Sequence, residues 1–343
     1  MKKILLTILQ IVVTVAVLIW VFHDPVKRSQ MAEALRAADY RWIIGAILAY
    51  ITVEFCAAFR WQILLRVQDI RLSWSRMFGL FFIGMFYNQL LPGGTGGDII
   101  KTYLLLKETP QKKTGALLAV LFDRMVGLVG IIAITGTLIA LRYHWLSQKR
   151  ETQQLVWVLL AVLGSAVLAL LTSFIVSGFN LLDRLPHRFP MRDKLIELST
   201  AYHLYAHHWT ATLLAFGASV MAHLATFATF LFVAYAFRVR VSVVDFFAVM
   251  PVERTISSMP ISFAGVGLRE KVLQIMLHGL CGVPEAVAAL IGSMSFLVMV
   301  ICCLPGGVVY FFYKPSGAAP HVKLREMERE VVSIEHEVVE RQQ

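Results

Sequence analysis

The chain has 343 residues, of which 58% are hydrophobic and 16% charged, and its formal net charge is +10. A soluble domain is about 45–50% apolar and about 25% charged, so this composition excludes an ordinary soluble protein. The apolar residues form blocks long enough for membrane helices, each of which needs about 20 of them. The blocks without any Asp, Glu, Lys or Arg are 4–22, 77–97, 152–182, 209–237 and 286–313.

In chain order, the block 4–22 follows Lys2 and Lys3 and looks like a signal peptide. Because no small-x-small cleavage site follows it, we predict a retained helix. Further crossings are predicted near 42–60, 75–91, 116–141, 155–179, 210–236 and 286–313, with irregular segments at 92–113 and 241–284. The predicted fold class is all-α: a polytopic integral membrane helical bundle of about eight transmembrane helices.

The seven tryptophans lie at or near the ends of apolar blocks, as expected for a belt at the lipid headgroups. They are Trp20, Trp42, Trp61, Trp74, Trp145, Trp157 and Trp209. The basic residues fall between the blocks, a pattern typical of contact with anionic headgroups rather than nucleic acid. They include Arg60, Arg66, Arg71, Arg76, Lys107, Lys112, Lys113, Arg184, Arg188, Arg192 and Lys194. We expect a cytoplasmic (inner) membrane protein with both termini in the cytoplasm.

Two domains are predicted, a transmembrane domain at 1–315 and a charged, amphipathic cytoplasmic tail at 316–343. Apolar residues of the tail follow heptad spacing, which is compatible with a solvated helix, with a homo-oligomer, or with docking of a partner lipid-modifying enzyme. A basic, amphipathic helix on the membrane surface is predicted near 185–208. The four cysteines lack metal or disulfide spacing, so no metal site and no cofactor is predicted.

The stretch NQLLPGGTGGDIIK at 88–101 places a proline and four glycines, followed by charges, at the end of an apolar block. Broken backbone at membrane depth is tolerated only inside protein or beside a water-filled cavity. A helix beginning near Asp98 would direct its positive N-terminus at an anion. The spacing matches neither a P-loop nor a dinucleotide fingerprint. The alternative is a plain turn outside the membrane.

A similar stretch at 251–271, PVERTISSMPISFAGVGLREK, favours the broken segment over the turn. Pro92 and Pro260 are each followed five residues later by a glycine, Gly97 and Gly265, and then by charges. Paired interruptions in two halves of a membrane protein indicate a transporter-like site in an inverted repeat. We therefore predict two broken or re-entrant segments, near 88–101 and 251–271.

Several ionisable residues lie at predicted membrane depth, where each costs at least about 2.5–3.5 kcal/mol. They should face a cavity or one another, with partners on other helices, because neighbours i and i+1 diverge around a helix. Arginine suits a lipid phosphate because its planar group binds two oxygens. Glu54 and Asp245 are interpreted as structural more readily than the arginines. The residues of this group are Glu54, Asp123, Arg124, Asp245, Glu253, Arg254, Arg269 and Glu270.

These elements together resemble the transmembrane region of lysylphosphatidylglycerol synthases, also found in stand-alone, UPF0104-like membrane proteins that are described as flippase-like. The matching elements are Arg60–Trp61, NQLLPGGTGGDIIK, DRMVG at 123–127, ER at 253–254 and PISFAGVGLRE at 260–270. One departure is Ala264 before Gly265, where the resemblance implies two glycines. In the full-length synthases the membrane part is associated with moving aminoacylated phosphatidylglycerol between leaflets, and a separate soluble domain performs aminoacyl transfer.

The resemblance implies a lipid translocase, and we expect no aminoacyltransferase activity here. The alternatives are an integral-membrane enzyme acting on a lipid phosphate and a scaffold for a lipid-modifying enzyme. The expected partner is a membrane lipid, and no catalytic residue is predicted. The candidate lipid-binding residues are Asn88, Gly93, Gly94, Gly96, Gly97, Asp98, Lys101, Asp123, Arg124, Glu253, Arg254, Ser262, Gly265, Gly267, Arg269 and Glu270.

Overall fold

The computed structural model describes residues 25–90, 96–178, 199, 203–259 and 262–313. Within these ranges the chain is helical and contains no strand. The predicted first crossing, most of the predicted surface helix, the charged tail and the glycines Gly93 and Gly94 lie outside the described residues.

The described helices are separated by short turns in most places. They are α1 (Pro25–Arg36), α2 (Arg41–Val67), α3 (Trp74–Leu90), α4 (Gly96–Glu108), α5 (Lys113–Leu146), α6 (Arg150–Gly178), α7 (Trp209–Ala236), α8 (Val243–Ser257), α9 (268–281, with a π-helical turn at Gln274–His278) and α10 (Glu285–Phe312).

Five of these helices are long and apolar enough to cross a membrane, namely α2, α5, α6, α7 and α10. Their positions agree with the predicted crossings to within a few residues at most ends. The prediction of irregular chain at 92–113 and 241–284 was wrong, because α4, α8 and α9 occupy most of both ranges. Glycine and proline there interrupt the helix only locally, and the apolar residues beside them still pack as helices.

The helices α2 and α7 pack against each other along their length and run antiparallel. Trp42 near the start of α2 stacks on Phe232 and contacts Tyr235 near the end of α7. Further along α2, Arg60 donates to the Ser219 hydroxyl in the first half of α7 at 3.0 Å. The end of α2 therefore lies beside the start of α7.

Two pairs of shorter helices fold back as hairpins. The first hairpin, α3–α4, has its ends joined by Arg76 and Glu108, which pair at 2.6 Å. The second hairpin, α8–α9, is joined to α5 at its open end, since Arg142 of α5 pairs with Asp245 near the start of α8 at 2.7 Å. The first hairpin follows the end of α2, and the second follows the end of α7. Because α2 and α7 are antiparallel, the two hairpins open at opposite ends of the bundle.

Candidate functional site

The break in the first hairpin is held by very close backbone packing. The amide N–H of Gly97, at the start of α4, donates to the Asn88 side-chain oxygen at 3.0 Å. A methyl group on Gly97 would collide with the carbonyl oxygen of Gly84 and with Asn88. Glycine is required here because the two helices of the hairpin touch at this point. The predicted helix start near Asp98 is confirmed, with Gly96 as the first residue of α4.

Five charged side chains from three helices meet beside this break, and we call them the Arg60 cluster: Arg60, Asp98, Lys101, Asp123 and Arg124. Arg60 of α2 donates to Asp123 of α5 at 2.7 Å. Lys101 of α4 lies 3.9 Å from both Asp98 and Asp123. Arg124 pairs with Asp98 at 2.5 Å. Three cations and two carboxylates leave the cluster with one net positive charge.

Burial differs within the Arg60 cluster. The side chains of Lys101 and Asp123 are 7% and 8% exposed, whereas that of Arg124 is 50% exposed. The ammonium group of Lys101 also lies over the Trp61 ring, 4.6 Å from its centre. A ligand that reached the cluster would therefore meet Arg124 and Asp98 first, and Lys101 only after displacing its present contacts.

Two interpretations of the sequence near the end of α2 were wrong. Arg60 is not a loop residue facing headgroups, since α2 continues to Val67 and turns Arg60 toward Asp123. Trp61 is fully buried and does not belong to the interfacial belt. The signal that pointed to Arg60 was its place in the Arg60–Trp61 pair of the family resemblance. The charge of Arg60 does not distinguish it from the arginines in the loops.

The break in the second hairpin depends on three residues with positive φ. Ala264, Gly265 and Gly267 have φ of 51°, 74° and 87°. A methyl group on Gly265 would also approach the Ser257 carbonyl oxygen to 2.7 Å. This confirms the predicted interruption. It also explains why the family resemblance implies glycine at position 264, because that position is left-handed and glycine would occupy it without strain.

A second buried group, the Glu253 cluster, consists of Glu253, Arg269, Glu270 and Ser293. Glu253 of α8 lies 3.4 Å from Arg269 of α9, and both are nearly inaccessible to solvent. Glu270 accepts hydrogen bonds from the Gly267 amide at 2.6 Å and from the Ser293 hydroxyl at 3.1 Å.

The Glu253–Arg269 pair is incompletely satisfied. Neither carboxylate oxygen of Glu253 accepts a hydrogen bond from a described residue, and the Nε and Nη1 groups of Arg269 donate none. The buried hydroxyl of Ser262 in the same break also lacks a partner within the described chain. Buried polar groups are normally paired, so unsatisfied donors beside a broken helix indicate a place for ligand atoms or water.

Arg254 belongs to neither cluster. No hydrogen bond or ion pair of its side chain is found in the described ranges, and it is partly buried. It interacts electrostatically with His223 of α7, and His223 also interacts with Arg60. The Nε2 atom of His223 is hydrogen-bonded to the Gly127 carbonyl oxygen at 3.0 Å. The two clusters share no direct hydrogen bond among the described residues. They are connected through α7 rather than being one site.

An apolar groove opens beside the Arg60 cluster, between α5 and the start of α7. It has a volume of about 510 Å³, and its lining includes Phe122, Val126, Trp209 and Phe216. Tyr205 stacks on Phe122 and donates to the Leu64 carbonyl oxygen at 3.0 Å. Burial raises the pKa of Tyr205, so its hydroxyl stays a donor. Charged groups and an apolar groove thus lie side by side along α5.

Comparison with known proteins agrees with the motifs. The family described as the lysylphosphatidylglycerol synthase TM region matches residues 7–307. A UPF0104 membrane protein of Pyrococcus horikoshii is 27% identical over 187 residues, which are 54% of this chain and 52% of the relative. A UPF0104 membrane protein of Methanothermobacter thermautotrophicus is 24% identical over 153 residues, 43% of this chain and 42% of the relative. The matched regions thus span about half the length of these relatives or less.

Proposed function

Because the chain belongs to the family of the lysylphosphatidylglycerol synthase transmembrane region, we propose that it is a lipid translocase. It moves a lipid with a polar or anionic headgroup between the leaflets of the cytoplasmic membrane. The headgroup passes through the interior of the bundle while the acyl chains stay in lipid.

The observation that carries this proposal is the Arg60 cluster at the break of the first hairpin. Charged side chains at membrane depth are costly, and they mark the routes of ions and substrates. The cluster has a net positive charge and an exposed arginine, Arg124. Arginine binds phosphate oxygens in pairs, and the N-terminus of α4 adds a favourable potential for an anion.

The arrangement of the hairpins supports an inverted repeat. Each half has a long helix, two short helices that fold back, and a second long helix: α2 to α5 in the first half, and α7 to α10 in the second. The long helices α2 and α7 are antiparallel, and the hairpins open at opposite ends. Transporters built from inverted repeats bind substrate where their broken helices meet. The repeat offers the two membrane faces equivalent access to the interior.

The second hairpin supplies further groups for the headgroup. Arg254 has no ion pair in the described ranges, and Arg269 has donors without acceptors. We assign Arg124 to first contact with the headgroup, and Arg254 and Arg269 to its passage through the interior. Asn88, Gly96 and Gly97 shape the first break, and Gly265 and Gly267 shape the second.

Reconstitution into liposomes tests the proposal. The purified protein is placed in phosphatidylcholine vesicles that contain a trace of fluorescent phosphatidylglycerol, and dithionite reports how fast the label reaches the outer leaflet. We expect faster exchange than in empty vesicles. Arg124→Ala should slow exchange about tenfold, the effect of about 1.4 kcal/mol from a lost charge-assisted contact.

Arg142→Ala is the matched control. Arg142 lies on the same helix, is also partly exposed and is also paired with an aspartate, but it lies at the far end of α5. This variant should exchange lipid at nearly the wild-type rate. The proposal fails if neither fluorescent phosphatidylglycerol nor fluorescent phosphatidylethanolamine moves faster than in empty vesicles. Equal slowing by both substitutions would remove the assignment of Arg124.

A further inference from the structure

Glu54 is a buried carboxyl group that neither cluster uses. It lies in α2, one of the candidate spans, and is 3% exposed. It forms no ion pair with a described residue, and the polar group beside its carboxyl oxygens is the hydroxyl of Tyr50. An ionised carboxylate without a cation partner in a low-dielectric interior costs several kcal/mol, so burial of this kind favours the neutral acid.

The groups that interact with Glu54 lie on α2 itself and on α10, and a cation of α8 lies within range of one of them. Tyr50 lies one turn earlier on α2, and Cys302 and Cys303 of α10 interact with Glu54 electrostatically. Arg254 of α8 is within electrostatic range of Tyr50. From α7, His223 is within range of Arg254. The charged groups that α5 presents to α2, Asp123 and Arg124, are already paired in the Arg60 cluster.

Among these groups, Arg254 is the cation without an ion pair in the described chain. A shift of the second hairpin that brought Arg254 from Tyr50 to Glu54 would give an ionised Glu54 a partner. The hairpin contains two helix irregularities, Pro251 inside α8 and the π-helical turn Gln274–His278 in α9. Both interrupt the regular helical hydrogen bonds, which makes them the points where the hairpin can bend.

We propose that Glu54 is a proton-binding site whose proton is exchanged when the second hairpin moves, coupling lipid movement to proton movement. In the conformation described here the carboxyl group holds its proton. When the hairpin shifts and water enters, the O–H bond breaks, the proton passes to water on the open side, and the carboxylate pairs with Arg254. Return of the hairpin requires protonation again. The coupling rests on the proposed function, whereas the proton site rests on the burial of Glu54 and on its lack of an ion pair among the described residues.

The test of coupling uses the same vesicles with a difference of one pH unit and the membrane potential clamped at zero. If one proton accompanies each lipid, this gradient supports an asymmetry of up to about tenfold between leaflets. We expect the wild type and the exposed-residue control Glu33→Gln to build up such an asymmetry of fluorescent phosphatidylglycerol. Glu54→Gln should equilibrate the label without asymmetry, and Glu54→Asp should restore part of it.

Two results would overturn the coupling while leaving the proposed function intact. One is exchange by the wild type that the gradient does not bias. The other is an unchanged asymmetry in Glu54→Gln. If no lipid moves in any vesicle, the proposed function fails instead, and infrared spectroscopy of the purified protein then decides the proton site. We expect a protonated-carboxyl band near neutral pH that Glu33→Gln keeps and Glu54→Gln loses. A wild type without that band, or a Glu54→Gln variant that keeps it, would refute the site.

Discussion

The guanidinium group of Arg60 and the carboxylate of Asp123 lie 2.7 Å apart, although 63 residues separate them in the chain. The pair joins α2 to α5 and supports Lys101, which reaches the same carboxylate from the first hairpin. The carboxylate of Asp123 therefore has two roles. It contacts Lys101, a candidate lipid-binding residue, and it holds the long helices α2 and α5 together.

Breaking this pair should destabilise the protein. Arg60→Gln or Asp123→Asn alone leaves a buried charge with fewer partners, a change that costs about 3–5 kcal/mol for a buried ion pair. The double variant should lose less than the sum of the single losses, because it removes both charges. Thermal unfolding in detergent measures all four proteins. Strictly additive losses would show that the two side chains are not coupled.

Gly97 should not tolerate a side chain. Gly97→Ala places a methyl group against the Gly84 carbonyl oxygen and Asn88, so the first hairpin must open to accommodate it. We expect a loss of about 1–3 kcal/mol, as for overpacked cores. Gly136→Ala on α5 is the control, because nothing lies within 4 Å of the added methyl. That variant should be unchanged or up to about 1 kcal/mol more stable, since alanine favours helix. Similar unfolding temperatures for both variants would contradict the close packing at the break.

Ala264→Gly should stabilise the second hairpin. Ala264 adopts φ of 51°, a left-handed conformation that costs an L-residue about 1–2 kcal/mol and costs glycine little. We expect the free energy of unfolding to rise by about 1 kcal/mol. The gain is not larger because glycine has more freedom than alanine in the unfolded chain. Ala264→Val should have the opposite effect, because β-branched residues fit this region worst. The order Gly, Ala, Val in thermal stability is the prediction, and any other order contradicts it.

The ends of the two hairpins should be accessible from opposite sides of the membrane. Arg71 precedes the first hairpin and Arg240 precedes the second, and both side chains are exposed. In a background without the four native cysteines, Arg71→Cys and Arg240→Cys should react with a membrane-impermeant maleimide from opposite sides. Gln148→Cys, at an exposed position in the turn after α5, should react from the same side as Arg240→Cys. Labelling of the first two from one side would exclude the inverted arrangement.

Many residues of the candidate site could be proposed from the sequence because the physical costs are local. A glycine-rich break beside an apolar block, and charges within it, are unfavourable in lipid wherever the rest of the chain lies. For that reason Asp98, Lys101, Asp123, Arg124, Glu253 and Arg269 were identified without any contact being known. The side chains that pair with these residues were not predictable. Arg60 has the same charge as the loop arginines, and it faces Asp123 only because α2 continues beyond it to Val67.

The sequence by itself determined that the chain is a helical membrane protein with two interruptions, because hydrophobic length and backbone freedom are properties of short segments. The tertiary structure decided which charges neutralise one another, and that Arg254 and Glu54 have no ion pair among the described residues. These properties depend on contacts between residues that are far apart in the chain, and such contacts depend on how the helices align. A shift of one helical turn between α2 and α5 would separate Arg60 from Asp123 while leaving the hydrophobic pattern unchanged.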